Sequence, residues 1–410
     1  MITKNFIRAP TPACRENDSI FNLPLDPDQC SQNWIKRKIA IKIVIQVNTE
    51  TPRVFIAATR QNDGKTTVSL GLIAALQEHY PRIGYIKPVG QRFVEIEEQK
   101  IDEDTVLMDA VYQMNCPLVD MSPIAVEPDF TRKYLQASNN EALVKRIQKA
   151  FDRVAWEKDF VLCEGSGHAG VGSVFDLSNA QVAKILGCKV IIVSQGGIGK
   201  PIDEVALNQA LFEKEGIEII GVILNKVLPD KVDYVTDFAR RGLKRKGLEL
   251  LGVLPYEQRL GSPTVDLICE ELHAELLNAP ISLNTLVDDV IIGAMGAHNA
   301  MQFFKRGVLL ITPGDREDIL LAAGAATMPQ SQDKMAGIVL TGGLRPNEAI
   351  LKALQTLPIP VLLTKADSYQ VASRVHNLTV KTRPTDAEKI SLIRNLVAQN
   401  VNVKKIINAL

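Results

Sequence analysis

The sequence lacks several features that would place it in a specialised class of protein. Its six cysteines form no C-x-x-C pair, so a reducing compartment fits better than a disulfide framework. The five histidines form no cluster of metal ligands, which argues against a structural zinc site. Lysine plus arginine equals aspartate plus glutamate at 47 each, so bulk charge favours neither nucleic acid nor a membrane surface as a partner.

Long apolar runs are also missing. No stretch approaches the roughly 20 apolar residues of a membrane-spanning helix. Residues 1–48 contain no apolar core of the kind found in signal peptides. We therefore expect a cytoplasmic protein with no membrane partner. A hydrophobic content of 46% over 410 residues is typical of a globular protein with about two or three domains.

The clearest pattern is an apolar run, a polar loop and a helical pattern in residues 54–72. The loop ends in Gly64-Lys65-Thr66-Thr67, and this order of elements is typical of a P-loop. Backbone N–H groups at the start of the helix suit an anionic polyphosphate. Lys65 would reach the terminal phosphates, and the Thr66 hydroxyl would hold Mg²⁺. Thr59 stands where the common motif has its first glycine.

Three further charged residues follow predicted strands or begin a predicted helix. Lys87 lies at the end of a short strand, and Glu164 ends the apolar strand 159–164, as in a Walker B element. Ligands bind at this edge of an open α/β sheet. Position alone also allows Lys87 to be a solvated surface lysine. Asp104 begins a helix, where acidic residues are ordinary capping groups, so a metal role for it needs other support.

Two other nucleotide motifs are present only in part. Gly165, Gly167 and Gly170 match the dinucleotide pattern G-x-G-x-x-G, but no helix is predicted at Gly170 and the expected acid downstream is missing. Asn225 and the following lysine end an apolar strand. The guanine-binding motif would need an acid at Leu228, so guanine specificity is unsupported.

Alternating strands and helices predict an α/β fold, with a doubly wound and mostly parallel sheet followed by a second, smaller α/β domain. The predicted regions are a weakly ordered N-terminal extension, a P-loop domain, a second domain and a C-terminal helical segment. Their bounds are residues 1–50, 51–260, 261–385 and 386–410. Residues 39–45 of the extension form a possible edge strand, and residues 390–397 carry an amphipathic helical pattern.

These motifs together resemble two known modules. Residues of about 52–258 resemble the dethiobiotin synthetase family, on the loop T-R-Q-N-D-G-K-T, the pair Lys87-Pro88, and the acid–glycine pair at Glu164. Residues of about 262–380 resemble a DRTGG domain, through Gly314-Asp315-Arg316 and Thr341-Gly342-Gly343. In this order the modules resemble the N-terminal half of long bacterial phosphate acetyltransferases. The catalytic domain of those enzymes would follow the DRTGG domain, so acetyl transfer is not expected here.

The resemblance implies that ATP and Mg²⁺ are the cofactors. It assigns nucleotide binding to Thr59, Asn62, Asp63, Gly64, Lys65, Thr66, Thr67 and Asn225, with Asn225 against the adenine. It assigns Mg²⁺ to Thr66, Asp104 and Glu164, and catalytic charge neutralisation to Lys65 and Lys87. Two departures make the diamine pocket of the synthetases doubtful, namely the segment 89–92 after Lys87-Pro88 and His168 in the loop after Glu164.

Three functional hypotheses follow. The first is ATP-dependent phosphoryl transfer, to a carboxylate-like acceptor or to water. The second is a nucleotide sensor that acts through the DRTGG domain on a partner or second subunit. The third is amide-forming ligation of the cobyrinic acid diamide synthase type, for which the sequence shows no ammonia-supplying glutaminase pattern. The expected partners are ATP, an unknown small-molecule acceptor or effector and a second copy of the chain, without nucleic acid.

Overall fold

The computed structural model describes residues 48–327 and 335–410. The edge strand expected at residues 39–45, and the N-terminal extension up to residue 47, lie outside the described residues. Across the described ranges, no helix combines the length and the apolar character that crossing a bilayer requires.

A six-stranded parallel sheet forms the centre of the first domain in the described chain. The strands of this domain are β1 (Arg53–Ala58), β2 (Ile83–Ile86), β3 (Val89–Gly90), β4 (Phe93–Ile96), β5 (Gln99–Asp102), β6 (Ile124–Ala125), β7 (Phe160–Glu164), β8 (Lys189–Gln195), β9 (Ile219–Val227) and β10 (Leu250–Pro255). The sheet order is β10-β9-β8-β1-β7-β2, and all neighbours pair parallel. The succession reverses at β1, so the sheet is doubly wound, as predicted.

Helices cover the sheet and link its strands. They are α1 (Lys65–Leu76), α2 (Glu103–Tyr112), α3 (Leu118–Met121), α4 (Phe130–Gln136), α5 (Asn140–Ala155), α6 (Asn179–Ile185), α7 (Lys200–Lys214), α8 (Val232–Lys244) and α9 (Gln258–Gly261). Strands β3 and β6 pair parallel, and β4 and β5 form an antiparallel hairpin, beside the main sheet. The central strand β1 is buried along its whole length, which explains its unbroken apolar run.

The second domain is a smaller α/β unit with its own core. Its elements are α10 (Val265–Leu272), β11 (Glu275–Leu276), β12 (Asp289–Ile292), α11 (Ala297–Ala300), β13 (Val308–Pro313), α12 (Glu317–Ala326), β14 (Gly337–Thr341), α13 (Glu348–Gln355), β15 (Val361–Leu363) and α14 (Ser368–His376). The strands lie in the order β11-β15-β14-β13-β12. Strands β12 to β15 pair parallel, and β11 adds an antiparallel edge.

The chain then returns to the first domain. Helices α15 (Ala387–Asn400) and α16 (Val403–Ala409) follow the second domain. Ile390, Ile393 and Val397 of α15 belong to the same hydrophobic core as β1 and α1. This second covering layer explains why α1 is apolar on nearly all sides, since the sheet covers one face and α15 another. The C-terminal helices therefore complete the P-loop domain.

Close packing of α15 on α1 depends on Gly71. A Cβ atom at Gly71 would lie 2.3 Å from Val397 Cγ2 and 3.1 Å from the Ile393 carbonyl oxygen. We therefore expect Gly71→Ala to lower the free energy of unfolding by about 2 kcal/mol, because overpacking outweighs the better helix propensity of alanine. Denaturant unfolding of the whole protein measures this change.

A glycine in the second domain supplies the matched control. Among the described residues, a Cβ atom at Gly324 in α12 would meet only Leu357 Cδ2, at 3.9 Å, within a 4 Å radius. Gly324→Ala should therefore raise stability by about 0.5–1 kcal/mol. Adding Val397→Ala to Gly71→Ala should recover part of the loss. If Gly71→Ala is as stable as the wild type, α15 does not pack on α1 at this distance.

Candidate functional site

A single buried carboxylate closes the loop between β1 and α1. Asp63 is fully buried, and its Oδ2 accepts hydrogen bonds from the Thr59 hydroxyl and the Arg60 amide, each at 2.7 Å. The Thr59 hydroxyl also lies 3.0 Å from the Ser194 hydroxyl on β8. The threonine at the first-glycine position therefore has a structural role, since it ties the loop both to Asp63 and to the neighbouring strand.

The end of β9 holds the other side of this loop. Asn225 Nδ2 donates to the Asp63 carbonyl, and Lys226 Nζ donates to the Asn62 carbonyl, both at 2.9 Å. Gly64 packs directly against Asn225. It has a φ of +98°, and a Cβ atom there would lie 2.0 Å from Asn225 Nδ2, so only glycine fits. The Asn225 amide retains a second N–H, and its contact with adenine stays a prediction.

Lys65 begins α1 in a mostly buried position. Its residue is 9% exposed, and burial lowers the pKa of its ammonium group, with nearby Glu164 opposing this shift. Among the described residues it makes no ion pair. The first backbone N–H groups of a helix have no partner within the helix, and the helix dipole adds positive potential there. The start of α1 therefore combines a buried cation with free donors, which favours an anionic ligand.

Glu164 ends β7 as a fully buried carboxylate. The Thr66 hydroxyl donates to its Oε1 at 3.1 Å. Its Oε2, together with the neighbouring hydroxyls of Ser69 and Tyr85, is buried without a hydrogen bond of normal geometry in the described chain. Burial raises the pKa of Glu164, although nearby Lys87 opposes this. A buried charged carboxylate is costly, and a cation bound beside it would offset part of that cost.

Lys87 neutralises a cluster of carboxylates beside the P-loop. Its Nζ lies 2.9 Å from Asp102 Oδ1 and 3.8 Å from Glu164 Oε1, and it also donates to Asp104 Oδ2. Burial alone would lower the pKa of Lys87, but Asp104, Asp102 and Glu164 outweigh burial and raise it. The Lys87 side chain is 8% exposed, so it is not a solvated surface lysine.

The two aspartates differ in how strongly lysines hold them. Burial raises the pKa of Asp102, which Lys87 only partly offsets. Burial would also raise the pKa of Asp104, but Lys87 and Lys381 outweigh burial and lower it to about 2. Asp102 caps α2 by accepting a hydrogen bond from the Asp104 amide at 3.0 Å. This cap fixes both carboxylates next to Lys87.

The predicted residues surround one cavity of about 390 Å³. Asn62, Gly64, Lys65, Thr66, Thr67, Lys87, Asp104, Glu164 and Asn225 line it. Thr59 and Asp63 do not line the cavity, and they hold the P-loop through their hydrogen bonds. The sequence interpretation missed Asp102, Tyr256 and residues 378–382, which also line the cavity. Tyr256 follows β10 at the strand edge where ligands bind, so the same strand-end argument would have found it.

Three side chains offer oxygens that suit a divalent cation. Thr66 and Glu164 are already in contact, and Asp104 contacts the Lys87 ammonium that also lies 3.8 Å from Glu164. Mg²⁺ typically takes one or two carboxylates, with water and substrate phosphates completing six ligands. Among the described residues, no group of three or more His, Cys, Asp or Glu side chains is arranged to hold a metal ion. The donor set therefore fits Mg²⁺ held jointly with a polyphosphate.

The glycine-rich turn after Glu164 does not open a helix. A 3₁₀ turn over Ser173–Phe175 follows it, and α6 begins only at Asn179, after the capping residue Ser178. A dinucleotide-binding turn would lead from its glycines directly into a helix.

Two family models match this chain. The AAA domain model AAA_26 matches residues 52–264, which is more than half of the chain. The DRTGG domain model matches residues 267–378. The predicted combination of a P-loop domain with a DRTGG domain is confirmed.

Curated relatives include two phosphate acetyltransferases. The protein from Nitratidesulfovibrio vulgaris is 28% identical over 366 residues, covering 85% of this chain and 50% of the relative. The protein from Synechocystis is 29% identical over 375 residues, covering 88% of this chain and 52% of the relative. The chain thus spans about half the length of the curated relatives that it matches, in line with the resemblance seen in the sequence.

Solved structures show fold-level likeness only. The septum site-determining protein MinD of Pyrococcus horikoshii, complexed with Mg-ADP, is 17% identical with a TM-score of 0.33, covering 51% of this chain and 83% of MinD. The CBS and DRTGG domains of Clostridium perfringens pyrophosphatase, complexed with diadenosine tetraphosphate, are 18% identical with a TM-score of 0.26. That match covers 43% of this chain and 86% of the other. Likenesses this distant give no guide to function.

Proposed function

The chain belongs to the AAA domain family and carries a DRTGG domain, and from this we propose that its first domain binds ATP with Mg²⁺ and cleaves the γ-phosphoryl group. The observation that carries the proposal is the buried cluster in which Lys87 neutralises Asp102, Asp104 and Glu164 beside the P-loop. A buried site that holds both positive and negative side chains suits a ligand that consists of a polyanion and a bound cation.

Each residue has a defined task in this proposal. The α1 N-terminus and Lys65 bind the terminal phosphates, and the loop held by Asp63 and Asn225 is shaped before the ligand arrives. Mg²⁺, held by Thr66, Asp104 and Glu164, would neutralise charge on the transferring group.

Lys87 has the second catalytic role. Its ammonium lies within 4 Å of three carboxylates, and moving toward the γ-phosphate would let it stabilise charge that develops during transfer. Burial keeps this ammonium away from water, which strengthens its interaction with a developing anion. The acceptor in this proposal is a carboxylate-like group or water.

A non-catalytic nucleotide sensor is the second candidate. One observation favours it, because Lys381, from the segment that follows the DRTGG domain, lies 3.0 Å from Glu103 and 3.5 Å from Asp104 at the nucleotide cavity. Occupancy of the cavity could therefore be communicated to the DRTGG domain. In either case we propose a cytoplasmic homo-oligomer whose small-molecule acceptor or effector is unidentified. Acetyl transfer is not part of the function proposed for these two domains.

The test is direct measurement of binding and turnover on the wild-type protein. We expect ATP with Mg²⁺ to bind at micromolar concentration, more tightly than GTP with Mg²⁺. Phosphate release from ATP, alone or with a panel of small carboxylic acids, would identify an enzyme. Binding without phosphate release under any condition would favour the sensor. No binding of either nucleotide would overturn both candidates.

A further inference from the structure

Residues 378–386 connect the DRTGG domain to α15 across the nucleotide cavity. We name them the return segment. Residues 378–382 line the same cavity as the P-loop. The segment has no helix or strand of its own. Its position at the cavity therefore depends on side-chain contacts.

Lys381 is the residue of the return segment that reaches the acidic cluster. Its Nζ lies 3.0 Å from Glu103 Oε2 and 3.5 Å from Asp104 Oδ1. Lys87 contacts the other oxygen of Asp104, Oδ2. Both oxygens of the Asp104 carboxylate thus contact lysine ammonium groups, so a divalent cation bound to Asp104 would be repelled by these neighbouring positive charges.

The two lysines differ in how readily they could withdraw. The Lys87 side chain is 8% exposed and is shared by three carboxylates. The Lys381 side chain is 34% exposed and contacts only Glu103 and Asp104 among the described carboxylates. Removing Lys87 would leave buried charges unpaired, whereas Lys381 could move into water at a small cost. Lys381 is therefore the one that gives way.

The chain is anchored to the rest of the protein just after Lys381. Arg383 lies 3.2 Å from Asp266 and 2.6 Å from Glu270, both on α10 of the DRTGG domain. Farther along, the buried Lys389 donates to the Ser262 carbonyl at 2.6 Å. A displacement of Lys381 would therefore first alter the contacts between Arg383 and α10.

We propose that Lys381 and Mg²⁺ compete for the Asp104 carboxylate, so that binding of the Mg²⁺–nucleotide complex displaces the return segment and transmits occupancy to the DRTGG domain. This inference rests on the proposed function, since it takes Asp104 as a ligand of Mg²⁺. Lys381 acts here as an internal cation. It opposes binding of Mg²⁺–ATP, while its positive charge near the cavity assists ATP that carries no metal.

The competition is tested with full-length Lys381→Met and equilibrium binding of ATP, once with Mg²⁺ and once with a chelator. Loss of the competing ammonium should tighten Mg²⁺–ATP binding about fivefold, equivalent to about 1 kcal/mol, and should not tighten metal-free ATP binding. Lys381→Arg keeps the charge and should restore the weaker wild-type affinity. The matched control is Lys189→Met. Lys189 is 35% exposed and lies 3.0 Å from Glu218, and it stands at the start of β8, the end of the strand away from the P-loop.

The outcomes separate this inference from the proposed function. If wild-type protein binds no ATP, the proposed function itself fails. If wild type binds ATP but Lys381→Met weakens binding in both media, Lys381 is a phosphate ligand and the competition is refuted. Unchanged affinity in both media would also refute it, because the contact with Asp104 would then be incidental.

Hydrogen exchange gives a second readout that does not depend on turnover. Mg²⁺–ATP should speed exchange of backbone amides in residues 378–386 of the wild type, and metal-free ATP should not. Lys381→Met should show faster exchange there before any ligand is added. Slower exchange of these amides on Mg²⁺–ATP binding would mean that the segment closes on the ligand, which contradicts displacement.

Discussion

Lys65→Ala is expected to weaken binding of Mg²⁺–ATP about a hundredfold while leaving thermal stability unchanged or slightly higher. A charge-assisted contact to phosphate contributes about 1.5–3 kcal/mol, and a hundredfold loss corresponds to about 2.7 kcal/mol. Stability should not fall, because Lys65 is buried with no ion pair in the described residues and burial lowers its pKa. Calorimetric titration measures the affinity, and a thermal melt measures the stability.

A lysine on the surface controls for the loss of a positive charge. Lys184 is 60% exposed and pairs with Glu215 at 3.2 Å, away from the P-loop. Lys184→Ala should leave the ATP affinity within about twofold of wild type, as surface pairs contribute little. Equal affinities for Lys65→Ala and wild type would refute the P-loop assignment, whatever the melts show.

Lys87→Met is expected to lower the free energy of unfolding by about 3–5 kcal/mol at neutral pH. Lys87 lies within 4 Å of Asp102, Asp104 and Glu164, and breaking a buried ion pair leaves uncompensated charge. Methionine keeps most of the side-chain volume, so the loss reports the charge rather than a cavity. Urea unfolding of wild type and variant gives the difference.

The loss of unfolding free energy caused by Lys87→Met should shrink as the pH falls from about 8 to 5. Burial already raises the pKa values of Asp102 and Glu164, and both should rise further without the ammonium. An acid with a raised pKa in the folded state binds more protons folded than unfolded, so folding loses stability as pH rises. The loss is complete above the folded pKa and disappears below the unfolded pKa of about 4. A deficit that is constant with pH would mean that Lys87 acts through packing.

Two variants sharpen this test. Asp102→Asn in the Lys87→Met background should recover part of the lost stability, because it removes one unpaired charge and asparagine still caps α2. The surface control Lys189→Met should change stability by at most about 0.5 kcal/mol.

In an otherwise wild-type chain, Lys87→Ala should lower turnover more than ATP affinity if Lys87 acts mainly in the transition state.

Local patterns were enough to predict which residues lie around the P-loop. Gly64 and Lys65 stand between a strand and a helix that are contiguous in sequence, so spacing alone indicates the loop. Lys87 and Glu164 end parallel strands, and the topology of an open sheet places such ends at one edge. The structure brings both residues beside Thr66. Their cofactor roles remain predictions.

The rest of the site depends on contacts between distant parts of the chain. Lys381 contacts Glu103, although most of the sequence separates them. Gly71 likewise leaves room for Val397, which is also distant in the sequence. Hydrophobic periodicity identifies the apolar face of a helix but not the surface that it packs on. The pattern in residues 390–397 therefore predicted a helix without predicting that it covers α1. Similarly, nothing in residues 378–382 marked them as cavity lining.

Because α15 packs on α1, the folding unit of the first domain is larger than the region that the family model matches. During synthesis, the outer side of α1 at Gly71 stays uncovered until the whole DRTGG domain and α15 have left the ribosome. Closing that long loop costs conformational entropy, and exposed apolar surface in the meantime favours aggregation. A fragment of residues 52–264 would remain in that uncovered state. Studies of the isolated AAA domain therefore need α15 supplied, by fusion after residue 264 or as a separate peptide.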